Sequence, residues 1–191
     1  MPDRTLNLVI IIGSTREGRF GDTVGRWFAA EAASHGGFTI DLVDLIDIEL
    51  PPTHRARPTP AAAAFCARLA AADAFVIVTP EYNHSYPASL KHAIDQGYVE
   101  WMAKPVSFVS YGGTTGGVRA IEHLRNVFAE LHATTIRDYV CFRTARRQFD
   151  AAGKPIDPDG PRLAAKTMLD RLAWWGHALR NAREAQPYVK S

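Results

Sequence analysis

The sequence predicts an α/β fold in which a five-stranded parallel sheet lies between two layers of helices. Five short apolar runs alternate with segments whose apolar residues have helical spacing. Runs that are apolar throughout are typical of strands with helices on both faces, because a strand with one solvated face alternates apolar and polar residues. The chain has 191 residues, 47% of them hydrophobic. This size and composition indicate a single domain over residues 1–191.

Glycines and prolines bound these runs and set the predicted elements. Gly36 is expected to end the first helix, and four prolines between residues 44 and 60 predict a loop. Ser85 is a candidate cap for the helix around Leu90. The predicted strands are residues 8–12, 38–45, 74–79, 106–110 and 134–142, the last bent near Arg137. The predicted helices are residues 61–72, 118–131 and 162–183, with two more around Val24 and Leu90.

Strand–helix units with right-handed crossovers leave few strand orders. With five strands, we predict a flavodoxin-like three-layer α/β/α sandwich with the order 2-1-3-4-5. The ligand crevice of such a sheet lies between strands 1 and 3, at the carboxyl ends of the strands. Three loops of unusual composition, residues 14–23, 80–85 and 110–117, follow strands 1, 3 and 4. We therefore expect these loops to meet at the crevice.

The loop after the first strand has the composition of an anion site. Ser14, Thr15 and Thr23 supply hydroxyl groups, and Arg16 and Arg19 supply cations suited to a phosphate. The amides at the start of the following helix, and its dipole, point at the same place. The stretch is either a phosphate-binding loop or an ordinary strand–helix turn whose arginines are solvated.

Two common nucleotide loops do not fit this stretch. Gly13 to Gly18 has the glycine spacing of a Walker A loop, but Phe20 stands where a hydroxyl must bind Mg²⁺. The dinucleotide pattern G-x-G-x-x-G fails as well, because Thr15 replaces its second glycine. A compact terminal phosphate remains, as in a mononucleotide such as FMN.

The other two loops offer features that suit a flat aromatic ligand. Tyr82 offers an aromatic contact, while Glu81 and Asn83 either order the loop or reach a partner subunit. In the loop at 110–117, four glycines in six positions let the backbone approach a ligand closely. Read alone, the first of these is also consistent with a polar turn and the second with a flexible turn before a helix.

At these three loops the chain resembles the NADPH-dependent FMN reductase family of flavodoxin-like enzymes. The resemblance covers roughly residues 6–136. It departs from the family pattern at Arg19 and Gly21, where the family commonly has Ser and often Asn. The residues that carry it are Gly13-Ser14-Thr15-Arg16 with Phe20, Pro80-Glu81-Tyr82-Asn83, Pro87, Leu90, Lys91, Ala93, Ile94, Asp95, Lys104-Pro105 and Ser110-Tyr111-Gly112-Gly113.

The resemblance implies an FMN-binding homodimer or homotetramer. It implies that hydride passes from NADPH or NADH through the flavin to a small acceptor: a quinone, free flavin, azo compound or metal oxyanion. No side-chain acid or base is needed, so no catalytic residue is nominated. The implied phosphate contacts are Ser14, Arg16, Arg19, Phe20, Gly21 and Thr23. The implied neighbours of the isoalloxazine ring are Pro80, Glu81, Tyr82 and Asn83 on one border and Ser110, Tyr111, Gly112 and Gly113 on the other.

Two alternatives keep the fold and change the function. A flavodoxin-type electron carrier would bind FMN without nicotinamide activity, but such carriers are usually strongly acidic, whereas this chain has a net charge of +2. A chain that had lost FMN would keep the fold for binding or assembly, and only Arg19 and Gly21 favour this alternative.

Composition restricts the remaining possibilities. The net charge favours no nucleic acid or membrane partner. Two cysteines and seven histidines lack metal-ligand spacing, and no apolar run reaches membrane-spanning length, so we expect a cytoplasmic protein without a metal site. Arg143, Arg146 and Arg147 either meet the 2′-phosphate of NADPH or form a solvated charge run. Tyr98 and Trp101 are candidates for a dimer surface.

Overall fold

The computed structural model describes residues 5–53 and 57–188. Short one-turn helices occur at Leu45–Asp47, Val99–Trp101 and Ala145–Arg147. The strands are β1 Leu6–Ile12, β2 Phe38–Asp44, β3 Ala74–Pro80, β4 Pro105–Tyr111, β5 Thr134–Thr135 and β6 Val140–Phe142. The helices are α1 Gly21–His35, α2 Pro60–Ala71, α3 Ala88–Ile94, α4 Val118–Glu130 and α5 Asp159–Ala185.

The sheet has the order β2-β1-β3-β4-β5, and every pairing is parallel. The predicted flavodoxin-like order 2-1-3-4-5 is therefore confirmed. Side chains alternate between its two faces, so that Ile10 packs in the layer of α1 and α5, whereas Ile11 packs in the layer of α2, α3 and α4. Burying each such side chain contributes roughly 1.5–3 kcal/mol to folding.

The last strand differs from the prediction. Residues 134–142 do not form one bent strand but two short ones, because the ladder with β4 is interrupted at residues 136–139. Side chains satisfy the carbonyls of the interruption. Arg125 donates to the carbonyls of Ile136 (2.8 Å) and Arg137 (3.2 Å), and Ser107 Oγ donates to that of Asp138 (2.8 Å).

Three further expectations are corrected by local geometry. Ser85 does not cap a helix; it lies in a reverse turn, and Pro87 is the N-cap of α3. Helix α5 begins at Asp159 rather than residue 162, since Pro161 is tolerated in a first turn, where its missing N–H is not needed. Trp101 is fully buried and donates to the carbonyl of Ile94 (3.1 Å), so it belongs to the core and not to a surface.

Helix α1 lies unusually close to β1, and a glycine makes this approach possible. A Cβ atom on Gly25 would lie 2.5 Å from Cδ1 and 2.6 Å from Cγ1 of Ile12. A side chain at position 25 would therefore require Ile12 or α1 to move. The start of α1, at Gly21, is held near the carboxyl end of β1 by this contact.

Lys104 is a buried cation that closes the end of α2. Its Nζ donates to the carbonyls of Leu69 (2.8 Å) and Ala70 (2.9 Å), and the residue is only 6% exposed. Burial, assisted by repulsion from Arg183, lowers the pKa of Lys104 to about 8, against the opposing attraction of nearby carboxylates. The folded protein therefore holds this proton less tightly than the unfolded chain does.

We predict that this lysine makes the stability of the protein rise with pH. Between about pH 8 and 10.5 the unfolded chain binds a proton at Lys104 that the folded protein has released, so the free energy of unfolding increases over that window. The increase is about 3 kcal/mol, at 1.36 kcal/mol for each unit of lowered pKa. Urea unfolding at several pH values, compared with Lys104→Met, measures it.

The comparison isolates Lys104 from other groups that titrate in the same range. The stability difference between the wild type and Lys104→Met should shift in favour of the wild type as the pH rises. Lys154→Met, at an exposed position, is the matched control and should show no such trend. A difference that is independent of pH would contradict the assignment.

Candidate functional site

The loops after β1, β3 and β4 meet at the carboxyl edge of the sheet, as the strand order predicted. Between them lies a cleft of about 550 Å³. A fourth segment, residues 144–147, forms the remaining wall. The residues that line the cleft are Ser14, Arg16, Glu17, Gly18, Arg19, Phe20, Pro80, Glu81, Tyr82, Tyr111, Gly112, Gly113, Thr144, Ala145, Arg146 and Arg147.

The start of α1 is left open at this cleft. Its N-cap is Phe20, which lines the cleft and whose side chain makes no capping hydrogen bond. The first-turn amides of a helix have no partner within the helix. Because no side chain caps them, these amides and the positive end of the helix dipole are available to an anion.

Arg19 has a different partner from the one that the sequence suggested. Its guanidinium forms a two-pronged ion pair with Asp44 at the end of β2, with Nη2 2.5 Å from Oδ2, and also donates to the carbonyl of Ser14 (2.8 Å). The hydrogen bond with Asp44 raises the pKa of Arg19. Arg19 therefore holds the loop in shape, and its positive charge is already balanced.

Two hydroxyl groups tie the first loop to the segment after β3. Ser14 and Tyr82 share a hydrogen bond of 2.8 Å between their hydroxyl oxygens, and Ser89 of α3 donates to the carbonyl of Gly13 (2.9 Å). These bonds fix the ring of Tyr82 relative to the start of α1. The sequence predicted both loops but not the bonds between them.

The loop after β3 is a tight turn with its tip in solvent. Tyr82 and Ser85 exchange backbone hydrogen bonds of 2.7 and 3.0 Å. The two residues between them, Asn83 and His84, both have positive φ, at 48° and 68°. Asparagine tolerates this conformation better than most residues. Asn83 thus shapes the turn and does not line the cleft.

Glu81 orders the same loop through hydrogen bonds to residues near the start of α4. Its carboxylate accepts hydrogen bonds from Thr115 Oγ1 (3.0 Å), the Arg119 amide (3.3 Å) and Arg119 Nη1 (2.9 Å). Burial by itself would raise the pKa of Glu81, but these hydrogen bonds outweigh it and the pKa is lowered. The charged carboxylate therefore binds the start of α4 and orders its own loop.

The loop after β4 brings bare backbone to the cleft. Gly112 and Gly113 line it without side chains. Gly117 has a φ of 91°, and a Cβ there would lie 2.9 Å from that of Ser110. The hydroxyl of Ser110 is buried behind the cleft with no hydrogen-bond partner among the described residues.

The Tyr111 side chain lies directly against Gly21. A Cβ on Gly21 would lie 2.6 Å from the hydroxyl oxygen of Tyr111, so no larger residue fits while that ring is in place. The ring also contacts Phe20 edge to face, at 6.5 Å between centroids. Burial raises the pKa of the Tyr111 phenol, which is therefore neutral. This hydroxyl fills the space that an asparagine at position 21 would need.

The segment at 144–147 was missed as a cleft wall. The Thr144 amide donates to the carbonyl of Gly113 (2.7 Å), and the Ala145 amide to that of Gly112 (3.1 Å). Arg146 reaches the first loop, where Nη2 donates to the carbonyl of Gly18 (2.5 Å). The arginine cluster was visible in the sequence, but its place beside β4 depends on the separate strand β6.

Most of the predicted contact residues thus line the cleft, and four lie beside or behind it. Gly21 is buried against Tyr111, Asn83 shapes an exposed turn and Ser110 is enclosed. The methyl group of Thr23 lies close to Gly153 instead. As direct contacts to a ligand, all the predicted residues remain predictions, the ten that line the cleft as well as these four.

The volume and the lining residues of the cleft are compatible with FMN. Its volume of about 550 Å³ falls within the roughly 300–1,000 Å³ of small-molecule and cofactor sites. The open start of α1 suits a phosphate, while the Tyr82 ring and the bare backbone of Gly112 suit a flat ring with carbonyl groups. Within residues 5–53 and 57–188, no three His, Cys, Asp or Glu side chains are grouped to hold a metal ion.

Comparisons with known proteins agree with this chemistry. Residues 6–147 match the family model described as NADPH-dependent FMN reductase. An NAD(P)H-dependent FMN reductase of Schizosaccharomyces pombe is 36% identical over 122 residues, which are 59% of this chain and 61% of that protein. A 2-hydroxy-1,4-benzoquinone reductase of a Burkholderia species is 31% identical over 178 residues, covering 89% and 96% of the two chains.

A solved structure shares the fold at lower identity. The flavoenzyme NAD(P)H:(acceptor) oxidoreductase FerB of Paracoccus denitrificans has a TM-score of 0.75 and 20% identity, covering 91% of this chain and 98% of that one. No described helix in our structure has the length and apolar character needed to cross a bilayer. On the match over residues 6–147, the chain belongs to the NADPH-dependent FMN reductase family.

Proposed function

We propose that this protein is an NAD(P)H-dependent FMN oxidoreductase whose second acceptor is a quinone. The observation that carries the proposal is the cleft itself, in which an open helix start, a fixed aromatic ring and bare glycine backbone meet in a chain of the FMN reductase family. A quinone is favoured over the other acceptors because the Burkholderia relative, matched over 89% of this chain, is named for a benzoquinone.

In this proposal each loop holds one part of FMN. The start of α1, with Ser14 and Arg16, would hold the terminal phosphate. Tyr82 would lie against the isoalloxazine ring, with the Gly112 and Gly113 backbone at its other border. The hydrogen bond between Ser14 and Tyr82 (2.8 Å) would keep the two parts of the site in register.

When bound, FMN supplies the two-electron chemistry between a nicotinamide donor and the second acceptor. The protein then contributes binding, orientation and exclusion of water. Its charged groups are placed accordingly: Glu81 is paired with Arg119 and Arg19 with Asp44. The Tyr111 phenol is held neutral by burial, which raises its pKa. We therefore assign no catalytic acid or base to these side chains.

We predict rapid reduction of the FMN-loaded protein by NADPH. In an anaerobic titration the visible flavin spectrum should bleach within seconds to the two-electron reduced form, and added benzoquinone should restore it. An electron carrier of the flavodoxin type would keep its oxidised spectrum in the presence of NADPH. A protein that releases all FMN on desalting would contradict the cofactor site itself.

We predict that Tyr82→Phe weakens FMN binding while the aromatic ring stays in place. The variant loses the hydrogen bond to Ser14 that holds two loops in the binding arrangement. A bond of this kind contributes about 0.5–1.5 kcal/mol to stability, which sets an upper limit of about tenfold on the rise in Kd. Quenching of flavin fluorescence measures the Kd. Tyr86→Phe, in the same loop but outside the cleft, is the control and should bind as the wild type does. Equal affinities in all three proteins would contradict the role of this bond.

We also propose a cytoplasmic homodimer or homotetramer. Tyr98 and Val99, four residues after α3, are 54% and 55% exposed and form an apolar surface. They are the surface residues of the region where the sequence indicated a dimer contact. Light scattering should give a mass of two or four chains, and Tyr98→Lys with Val99→Lys should shift it towards one. A monomeric wild type would contradict the proposal.

A further inference from the structure

We infer that the turn at residues 144–147, here called the arginine turn, binds a phosphoryl group through Arg146 and Arg147. The inference rests on the proposed function and extends it to a segment outside the three expected loops. Either of two phosphates in the reaction has the required chemistry: the terminal phosphate of FMN, or the 2′-phosphate that distinguishes NADPH from NADH.

The charges around the cleft leave three arginines without a carboxylate partner. Arg19 is paired with Asp44, whereas Arg16, Arg146 and Arg147 form no ion pair with another described residue. All three are exposed and line the cleft. The carboxylates in the lining are Glu17 and Glu81, and the latter is paired with Arg119. The rim of the cleft is therefore positive, which favours an anionic ligand.

The backbone of the arginine turn is held rigidly against the third loop. The Thr144 and Ala145 amides donate to the carbonyls of Gly113 and Gly112, and the Gly112 amide donates back to the carbonyl of Phe142 (3.2 Å). These bonds continue the pairing of β4 with β6 beyond the ends of the strands. These hydrogen bonds therefore fix the position of the arginine turn relative to the sheet.

Thr144 is strained at this position. Its φ of 50° lies in the left-handed region, which a β-branched residue rarely adopts. Strain of this kind persists only where the surrounding structure holds it, and it concentrates at binding sites. Here it turns the chain back so that Ala145, Arg146 and Arg147 face the first loop across the cleft.

Arg146 connects the arginine turn to the first loop, which follows β1. Its guanidinium donates to the carbonyl of Gly18 and lies 5.1 Å above the centre of the Phe20 ring. Both residues belong to the loop that precedes α1. A guanidinium has five N–H donors in a planar fork, so donors remain for phosphate oxygens. Arg147, the next residue, lines the same cleft and its side chain makes no hydrogen bond among the residues that the structure covers.

The test compares ligands that differ by one phosphate. Arg146→Gln, Arg147→Gln and the double variant are titrated with FMN and with riboflavin, using flavin fluorescence. The FMN-loaded proteins are then assayed for KM with NADPH and with NADH. Arg143→Gln is the matched control, because Arg143 is exposed in the same segment but does not line the cleft.

We expect the double variant to lose about tenfold or more either in its preference for FMN over riboflavin or in its preference for NADPH over NADH. A loss of this size is typical of a hydrogen bond to a charged group. A smaller preference for FMN over riboflavin identifies the flavin phosphate as the ligand. A smaller preference for NADPH over NADH identifies the 2′-phosphate. Arg143→Gln should change neither preference by more than about twofold.

Several outcomes overturn the inference. Ligand preferences equal to those of the wild type in a folded double variant would overturn it. An equal loss of affinity for FMN and riboflavin would also overturn it, because the arginine turn would then support only the isoalloxazine ring. Circular dichroism establishes folding. If Arg146→Gln is unstable through loss of the Gly18 contact, Arg147→Gln decides alone. If the wild type binds no FMN, both the proposed function and the inference are overturned. If the wild type binds FMN and the variants keep its ligand preferences, only the inference is overturned.

Discussion

The site depends on the register of three parallel strands. Ile12 pairs with Val78, Val78 with Val109, and Pro80 with Tyr111, so β1, β3 and β4 end side by side at one edge of the sheet. A slip of one residue would turn the buried side chains of a strand to the opposite face, and the two packed layers forbid it. The loops therefore start from fixed positions, and short bonds such as Ser14–Tyr82 suffice to complete the cleft.

Two departures from the family pattern are compensated within the same site. Where relatives commonly have Ser, Arg19 is paired with Asp44 and holds the loop through the Ser14 carbonyl. Where they often have Asn, Gly21 makes room for the Tyr111 hydroxyl. Neither change blocks the start of α1, so they do not favour a chain that has lost its cofactor. Positive charge at the rim then comes from Arg16 and from the arginine turn.

The sheet order and the three loops could be predicted because apolar runs indicate buried strands and glycines indicate turns, and both signals lie within a short stretch of sequence. The partners of charged residues could not, since Arg19 and Asp44 are 25 positions apart and meet only through the pairing of β1 with β2. The place of the arginine turn in the wall of the cleft was missed for a related reason, although its arginines were visible as a cluster. Its position follows from β6, a strand of three residues separated from β5 by side-chain bonds that no sequence pattern marks.

A crystal structure of the protein with bound FMN would test the proposed site. We expect the phosphate at the start of α1, beside Ser14 and Arg16, with the isoalloxazine ring between Tyr82 and the Gly112 backbone. A flavin bound outside the cleft, or with its ring at the start of α1 and its phosphate in solvent, would contradict the account.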